Sequence, residues 1–160
     1  MAMSKIDELD LKILSELMKD ASISVPKLSK KINVNASVIY SRIKRLVKLG
    51  LIKKFTIIIN DEALGFNVKA VTGINMDAKY RENILKELNK IPEIEEIVEV
   101  TGRFDMLVRL HARTLDDMYS IISDKIGNIE GVQRTETFIE MRRTVKDYEL
   151  TPQVIKIVQQ

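Results

Sequence analysis

The sequence NASVIYSRIKRLVKLG, residues 35–50, decides how the N-terminal part of the chain folds. Its apolar positions recur at helical spacing, and they are Ile39, Ile43 and Leu46. A stripe of this kind predicts a helix with one face turned toward a core. Asn35 suits the N-cap and Gly50 suits the position after the last turn, so we expect a helix over about residues 36–49.

Two shorter helices are predicted before this one. Apolar residues at helical spacing, with acidic residues near their start, indicate a first helix over about residues 8–20. Ser24 is a suitable N-cap and Pro26 lies where a helix tolerates proline, so a second helix is predicted over about residues 25–32. A tight turn at residues 33–35 separates the second helix from the third, and this arrangement is typical of a helix-turn-helix.

The basic residues of the chain are concentrated around these helices. Residues 1–60 carry a net charge of +7, whereas residues 61–160 carry −4. Residues 21–60 contain nine basic side chains and no carboxylate. Because a solvated surface normally mixes both signs, this window favours a polyanionic partner such as nucleic acid.

The outward side of the third helix has residue types that suit the major groove of double-stranded DNA. Short residues near a helix N-terminus allow close approach, and hydrogen-bonding groups can read base edges. Tyr40 and Ser41 lie about one turn into the helix, where base edges are reached, and lysines further along would lie beside phosphates. The predicted DNA-binding residues are Ser24, Lys27, Asn35, Ala36, Ser37, Tyr40, Ser41, Arg42, Lys44, Arg45 and Lys48.

Alternatives remain for individual members of this set. Tyr40 could be a surface tyrosine without a DNA contact, although we favour the contact. Arg42 could instead stabilise the fold by pairing with Asp20 or Glu16. The remaining basic residues support binding to the DNA backbone only as a group, and they are Lys30, Lys31, Lys53 and Lys54.

The hydrophobic pattern changes after Gly50. Residues 51–60 are rich in β-branched side chains and predict a strand, and residues 61–67 predict a connector. We therefore expect a helix-turn-helix DNA-binding domain at 1–50, a linking strand and hinge at 51–67, a ligand-sensing and oligomerisation domain at 68–150, and a separate C-terminal tail at 151–160.

The second half of the chain contains an internal repeat with an offset of 35 residues. Two helical patterns are flanked by strand-like stretches at 69–76, 95–101, 106–112 and 132–141. The order β-α-β-β-α-β predicts a ferredoxin-like sheet with two helices on one face, and so an α+β protein. The other sheet face would be bare, with apolar residues such as Leu107, Leu110, Ile139 and Met141 available, and this predicts self-association.

Several classes of function are disfavoured by what the sequence lacks. It has no cysteine and one histidine, His111, so thiolate and histidine metal sites are not expected. No nucleophile motif or phosphate-binding glycine loop is present, and we predict that the chain is not an enzyme. No apolar run approaches the roughly 20 residues that cross a bilayer. The start of the sequence lacks the apolar core of a signal peptide, so a cytoplasmic protein without a membrane partner is expected.

Residues 101–105, Thr-Gly-Arg-Phe-Asp, join the two middle strands. Gly102 permits an open turn whose backbone amides could bind a carboxylate, and Asp105 could bind an amino group. The alternative is an ordinary β-turn in which the aspartate accepts local hydrogen bonds, and the loop residues by themselves favour that alternative.

In this order and spacing, several stretches resemble the Lrp/AsnC (feast/famine) regulators over roughly residues 6–146. They are Leu9-Asp10, Lys12-Ile13-Leu14, Asp20-Ala21, Leu28-Ser29, Arg42-Ile43-Lys44-Arg45-Leu46, Leu49-Gly50-Leu51-Ile52, Gly102-Arg103-Phe104-Asp105, Ile129-Glu130-Gly131-Val132 and Thr135-Glu136-Thr137. The sequence departs from the family at Ser22, where arginine is frequent, and at Asn35, where serine is usual.

The resemblance implies a regulator with a ferredoxin-like domain of the RAM/ACT type. It implies that dimers bind DNA through the N-terminal helices, pair sheet to sheet and often join into octamers. It also implies an amino acid effector in a cleft between dimers, with no other cofactor. The effector-binding residues implied are Tyr80, Arg81, Thr101, Gly102, Arg103, Phe104, Asp105, Thr135, Glu136 and Thr137.

The charged members of this set would suit a polar or charged amino acid better than leucine. Three other functions are alternatives: an architectural DNA-binding protein without an effector, a helical domain that binds proteins instead of DNA, and an enzyme similar to sirohaem decarboxylases. The enzyme is disfavoured because such proteins are expected to use several histidines, and the protein-binding role is disfavoured by the acid-free window.

Overall fold

The computed structural model describes residues 6–146 and residue 150, and the chain divides into two compact units. The described part of the first unit includes residues 6–58, and the second unit contains residues 59–144. The C-terminal tail predicted at 151–160 lies outside the described residues, and our four-part division of the chain stays a prediction.

Three helices form the first unit, close to their predicted bounds. They are α1 (Glu8–Lys19), α2 (Val25–Ile32) and α3 (Ala36–Lys48). The predicted N-caps form, because Ser24 accepts a hydrogen bond from the Lys27 N–H and Asn35 accepts one from the Ser37 N–H. Asn33 ends α2 in the left-handed conformation, with φ 54° and ψ 49°, which asparagine tolerates better than most residues.

One apolar side chain or more from each helix fills the centre of this unit. Ile13, Leu28, Ile39 and Leu46 are fully buried, and Ile43 packs against them. Burial of each such side chain is worth about 1.5–3 kcal/mol. The buried stripe of α3 therefore fixes which side of that helix faces outward.

A buried carboxylate ties α1 to α3. Asp10 has no exposed surface, and its two oxygens accept hydrogen bonds from Arg42 at 3.2 Å and Arg45 at 2.8 Å. Arg42 also pairs with Asp7, which forms a capping box with Asp10 at the start of α1. These partners satisfy a charge that would otherwise be very costly to bury.

The second unit has the predicted order of strands and helices. Its strands are β1 (Val68–Met76), β2 (Ile94–Glu99), β3 (Met106–Ala112) and β4 (Val132–Ile139). They form an antiparallel sheet in the order β2-β3-β1-β4, which is the ferredoxin-like arrangement. The α+β fold class predicted from the sequence is confirmed.

Two helices cover one face of the sheet. They are α4 (Arg81–Leu88) and α5 (Leu115–Ser120), and α5 continues into a π-helical turn, Ile121–Ile126. Alternate residues of β1 and β3 point into the core beneath the helices, and these include Ala70, Ile74, Met106, Val108 and Leu110. Thr72 is the buried polar residue of this face, and its hydroxyl bonds to that of Thr137 at 2.9 Å.

Two predictions about apolar residues were wrong. The strand predicted over residues 51–60 does not form, and Ile58 is 100% exposed. A strand needs a neighbour for its backbone hydrogen bonds, and the described chain supplies none to this segment. Leu110 is buried under the helices and is not on the bare face with Leu107, because residues three apart on a strand point to opposite faces. Ile139 is also not on the bare face, because it opposes Ala70 of the core in the register of β1 and β4.

The Asp10 network gives the first prediction. Asp10→Asn should lower the free energy of unfolding of the helical unit by about 2 kcal/mol, because it removes a buried charge that both arginines share. Urea unfolding of the full chain, followed by circular dichroism, measures this loss. The control is Glu8→Gln, an exposed acid in the same turn, which should cost less than about 0.5 kcal/mol. Equal losses in the two variants would contradict the assignment.

Candidate functional site

The outward side of α3 presents most of the residues predicted to contact DNA. Ser37, Tyr40, Ser41, Lys44 and Lys48 are exposed. Ala36, the first residue of the helix, is half-buried. The surface also contains two exposed valines that the sequence analysis did not single out, Val38 and Val47. We call the exposed residues of α3 together the α3 outer face.

An aromatic side chain and a cation are paired at the middle of this face. Tyr40 is 55% exposed, and the Lys44 ammonium lies 4.7 Å from the centre of its ring. The pair follows the i, i+4 spacing that places side chains over one another on a helix. Its cation therefore stays at the surface, next to a phenol that can donate or accept hydrogen bonds.

Arg42 and Arg45 of the predicted set lie on the flank of α3 and pair inward. Hydrogen bonds to Asp7 and Asp10 raise the pKa of Arg42 above its ordinary value. Arg42 pairs with acids of the helical unit, as the structural alternative for this residue expected, but its partners are Asp7 and Asp10 and not Asp20 or Glu16. We missed the Arg45 pair altogether, although the capping pattern Asp7-x-x-Asp10 was a signal that these acids have structural roles.

Lysines carry the remaining positive charge of the described helical unit. Lys44 and Lys48 form no ion pair within residues 6–146. Lys27, Lys30, Lys53 and Lys54 are also exposed, whereas Lys31 pairs with Glu16. The helical unit therefore keeps a surface of uncompensated lysines of the kind that binds a polyanion.

The loop 101–105 of the second unit is held against β1. The Asp105 carboxylate accepts a hydrogen bond from the Met76 N–H at 2.9 Å, and the Asp105 N–H donates to the Ile74 carbonyl at 3.0 Å. Asn75 donates its side-chain amide to the carbonyl of Arg103 at 2.8 Å. The alternative of a backbone role for Asp105 agrees with these bonds, although they reach the neighbouring strand instead of the turn itself.

Three of the predicted effector residues meet on the open face of the sheet. Arg103 pairs with Glu136 at 2.6 Å. The Phe104 ring lies so close to Gly73 that a Cβ added there would come within 2.6 Å of it. Because Gly73 opposes Glu136 in the register of β1 and β4, the ring and the ion pair occupy the same patch.

The other predicted effector residues do not all join this patch. Thr135 and Thr137 oppose Ile74 and Thr72 in the sheet register and therefore lie on the helix-covered side, away from Glu136. Tyr80 packs against Gly131, and a hydrogen bond with Glu130 raises the pKa of its phenol. Arg81 pairs with Glu99 at the end of β2, next in sequence to loop 101–105.

The histidine and the acidic residues do not form a metal site in the described part of the chain. His111 bonds to Glu95 at 2.7 Å, and its ring lies 4.2 Å from that of Phe66 at an angle of 47°. Within the described ranges, no group of three or more histidine, aspartate or glutamate side chains could hold a metal ion. Among the same residues, no helix has the length and apolar character needed to span a membrane.

Comparisons with known proteins agree in both halves of the chain. The family description "Winged helix-turn-helix DNA-binding" matches residues 6–53, and "Lrp/AsnC ligand binding domain" matches residues 69–150. The HTH-type transcriptional regulator FL11 of Pyrococcus furiosus is 38% identical over 137 residues, which cover 86% of this chain and 90% of that protein. This relative is named as a transcriptional regulator, in agreement with the expectation of a regulator instead of an enzyme.

Solved structures share the fold. The structure of Escherichia coli AsnC matches with a TM-score of 0.83 and 28% identity, covering 89% of this chain and 97% of that one. A complex of the transcriptional regulator NMB0573 of Neisseria meningitidis with L-methionine matches with a TM-score of 0.88 and 19% identity, covering 94% and 99%. At that identity the second likeness concerns the fold alone.

The acids of the helical unit give a prediction about pH. The Asp10 N–H, and then Arg42, lower the pKa of Asp7, while hydrogen bonds from Lys31 and Lys19 lower that of Glu16. A carboxyl group whose pKa is lower in the folded state than in the unfolded state stabilises the folded state at any pH above the unfolded pKa of about 4. This stabilisation is lost as the pH falls through the pKa of the folded state. Thermal stability should therefore fall below about pH 4.

Asp7→Asn provides the test, because it removes one of these titrations. Melting temperatures between about pH 6 and pH 3 should decline less steeply in the variant than in the unsubstituted chain. Parallel declines in the two proteins would show that folding does not lower the pKa of Asp7.

Proposed function

The chain belongs to the Lrp/AsnC family of transcriptional regulators, and on that premise we propose that it binds specific sequences of double-stranded DNA in response to a small effector. The proposal rests on the different positions of the arginines and the lysines of α3. Arg42 and Arg45 pair with Asp10 of α1. Tyr40, Ser41, Lys44 and Lys48 remain on the outer face.

In this proposal α3 enters the major groove with its outer face toward the bases. Tyr40 and Ser41 contribute phenol and hydroxyl groups that read base edges, and the short side chains of Ala36 and Ser37 let the helix N-terminus approach closely. Lys44 and Lys48 bind phosphates and fix the orientation of the helix without adding sequence information. Lys27, exposed on α2, extends the phosphate contacts.

We propose that the effector is an amino acid that binds beside loop 101–105. The second half matches a ligand-binding family domain, and the structural neighbour from Neisseria is described as a complex with L-methionine. Arg103 and Glu136 carry the charges that a zwitterion needs, a cation for its carboxylate and an anion for its ammonium. A bound amino acid would share or replace their mutual ion pair.

The proposed regulator acts as a homo-oligomer, a dimer or an octamer built from dimers. The open sheet face exposes Phe138 and Val98, and the segment before the sheet exposes Phe55, Ile57 and Ile58. Apolar surface of this extent, together with a β-branched segment that lacks a strand partner, supports association with further copies of the chain. A cytoplasmic location fits this role and stays a prediction.

The DNA proposal predicts different effects for two substitutions on α3. Lys44→Ala should weaken binding to all duplexes similarly and reduce the salt dependence by about one phosphate contact. Tyr40→Ala should instead change which sequences are preferred. Fluorescence anisotropy with chosen duplexes, and selection from a randomised duplex pool, measure the two effects.

Lys86→Ala, an exposed lysine on α4, is the matched control and should leave both measurements unchanged. For six or more phosphate contacts, affinity should fall on the order of 10³-fold between about 50 and 200 mM salt. Identical behaviour of the two α3 variants on random DNA would contradict the assigned roles and favour an architectural DNA-binding protein.

The effector proposal predicts that an amino acid raises the melting temperature of the chain. Ligand at about 100 times its dissociation constant adds about 2.7 kcal/mol of stability. Arg103→Gln should abolish the shift, whereas Lys86→Gln, which replaces an exposed lysine on α4, should retain it. If no L-amino acid changes either the melting temperature or the mass of the assembly, the protein has no effector of this class.

A further inference from the structure

Val38 is an exposed apolar residue in the first turn of α3. It is 40% exposed, and in the described helical unit it is not among the side chains that pack against the buried core. Valine is also a weaker helix former than alanine, lysine or glutamate, because its branched side chain loses freedom in a helix. Neither packing nor helix propensity therefore accounts for a valine at this position.

The polar side chains at the start of α3 leave few groups to discriminate among bases. The Oδ1 atom of Asn35 accepts hydrogen bonds from the N–H and the hydroxyl of Ser37, at 2.9 Å each. An asparagine with its oxygen engaged in this way does not make the paired contact that reads adenine. A serine hydroxyl bonds to more than one kind of base. Hydrogen bonds from the first turn therefore define the bound base poorly.

The side chains that best read guanine are held elsewhere. Guanine is usually read by arginine or lysine, through its two acceptor atoms in the major groove. Arg42 and Arg45 pair with the buried Asp10, at 3.2 Å and 2.8 Å. Lys44 lies over the ring of Tyr40, beyond the first turn of the helix. At the first turn, where a recognition helix comes close to the base pairs, selectivity therefore depends on an apolar contact.

The apolar group that the major groove presents is the C5-methyl group of thymine. Apolar side chains can contact this methyl group, and the contact removes the apolar surface of both partners from water. The exposed lysines of the same outer face, Lys44 and Lys48, provide the charge complementarity that brings α3 to the DNA. Thymine thus offers an apolar partner to the exposed part of Val38.

We propose that Val38 is a specificity-determining residue whose methyl groups contact the C5-methyl group of a thymine in the bound DNA. This contact requires that DNA binds to the α3 outer face, and so it rests on the proposed function. It adds a base preference that hydrogen bonds do not supply. Val47 provides a matched comparison, because it is 45% exposed but lies in the last turn of the same helix. Base edges are reached from the N-terminal part of a recognition helix, so Val47 lies away from them.

Removal of single methyl groups from the DNA tests the proposal. A duplex that the full chain selects from a randomised pool is prepared as a series, and in each member one thymine is replaced by deoxyuridine. Deoxyuridine keeps the hydrogen-bonding groups of thymine and lacks only its C5-methyl group. Fluorescence anisotropy measures the dissociation constants. At one thymine position or more, the replacement should weaken binding about fourfold, which corresponds to the loss of one buried methyl group.

Substitutions in the protein then assign the contact to one residue. Val38→Ser should bind the thymine and deoxyuridine duplexes equally well, because serine has no methyl group to place against the base. Val38→Ile should retain the difference of about fourfold between the two duplexes. Val47→Ser should retain the same difference, whatever its effect on affinity for both duplexes. Both valines are exposed, so these substitutions should leave the fold intact, and circular dichroism checks this.

Three results would overturn the proposal: no deoxyuridine replacement weakens binding, Val38→Ser retains the methyl effect, or Val47→Ser removes it. If the chain binds selected duplexes but shows one of these results, the role of Val38 is rejected and the proposed DNA-binding function remains intact. If the chain binds no duplex at all, both the role of Val38 and the proposed function are rejected.

Discussion

The buried carboxylate of Asp10 is the constraint on which the helical unit depends. It holds Arg42 and Arg45 of α3 against α1, while Ile39 and Leu46 anchor the same helix in the apolar core. The ion pairs and the apolar contacts together therefore fix the rotation of α3 about its own axis. The side that remains outward is the one with Tyr40, Lys44 and Lys48, and its direction follows from the contacts beneath it.

This arrangement separates two uses of positive charge. Arginine has a rigid, planar group that suits a fixed partner such as a buried carboxylate, whereas lysine is a flexible point charge that suits a phosphate backbone. In the described helical unit Arg42 and Arg45 serve stability, and Lys44 and Lys48 remain uncompensated. The acids that pair with these arginines, Asp7 and Asp10, lie at the start of α1 and outside the acid-free window at 21–60.

The sequence predicted those parts of the fold that rest on local signals. Caps and apolar spacing predicted α1, α2 and α3, and the strand-like stretches beside the repeated helices predicted β3 at Met106–Ala112. Residues 51–60 have the composition of a strand but no partner in the described chain, so composition alone misled. The Asp10–Arg45 pair spans 35 positions, and no local pattern indicates the π-helical turn of Ile121–Ile126. The structure separates Glu136 from Thr135 and Thr137 of the predicted effector site, because successive residues of β4 point to opposite faces of the sheet.

The proposed function requires the α3 outer face to lie against DNA, and the absence of cysteine from the chain allows a direct test. Ser41→Cys places a single thiol on that face, and Ser120→Cys places one on an exposed position of α5. The rate at which a maleimide modifies each thiol is measured with and without saturating duplex. If the α3 outer face binds DNA, the duplex should strongly protect the thiol at position 41 and should not protect the thiol at position 120. A thiol at position 41 that reacts equally fast in both states would contradict it.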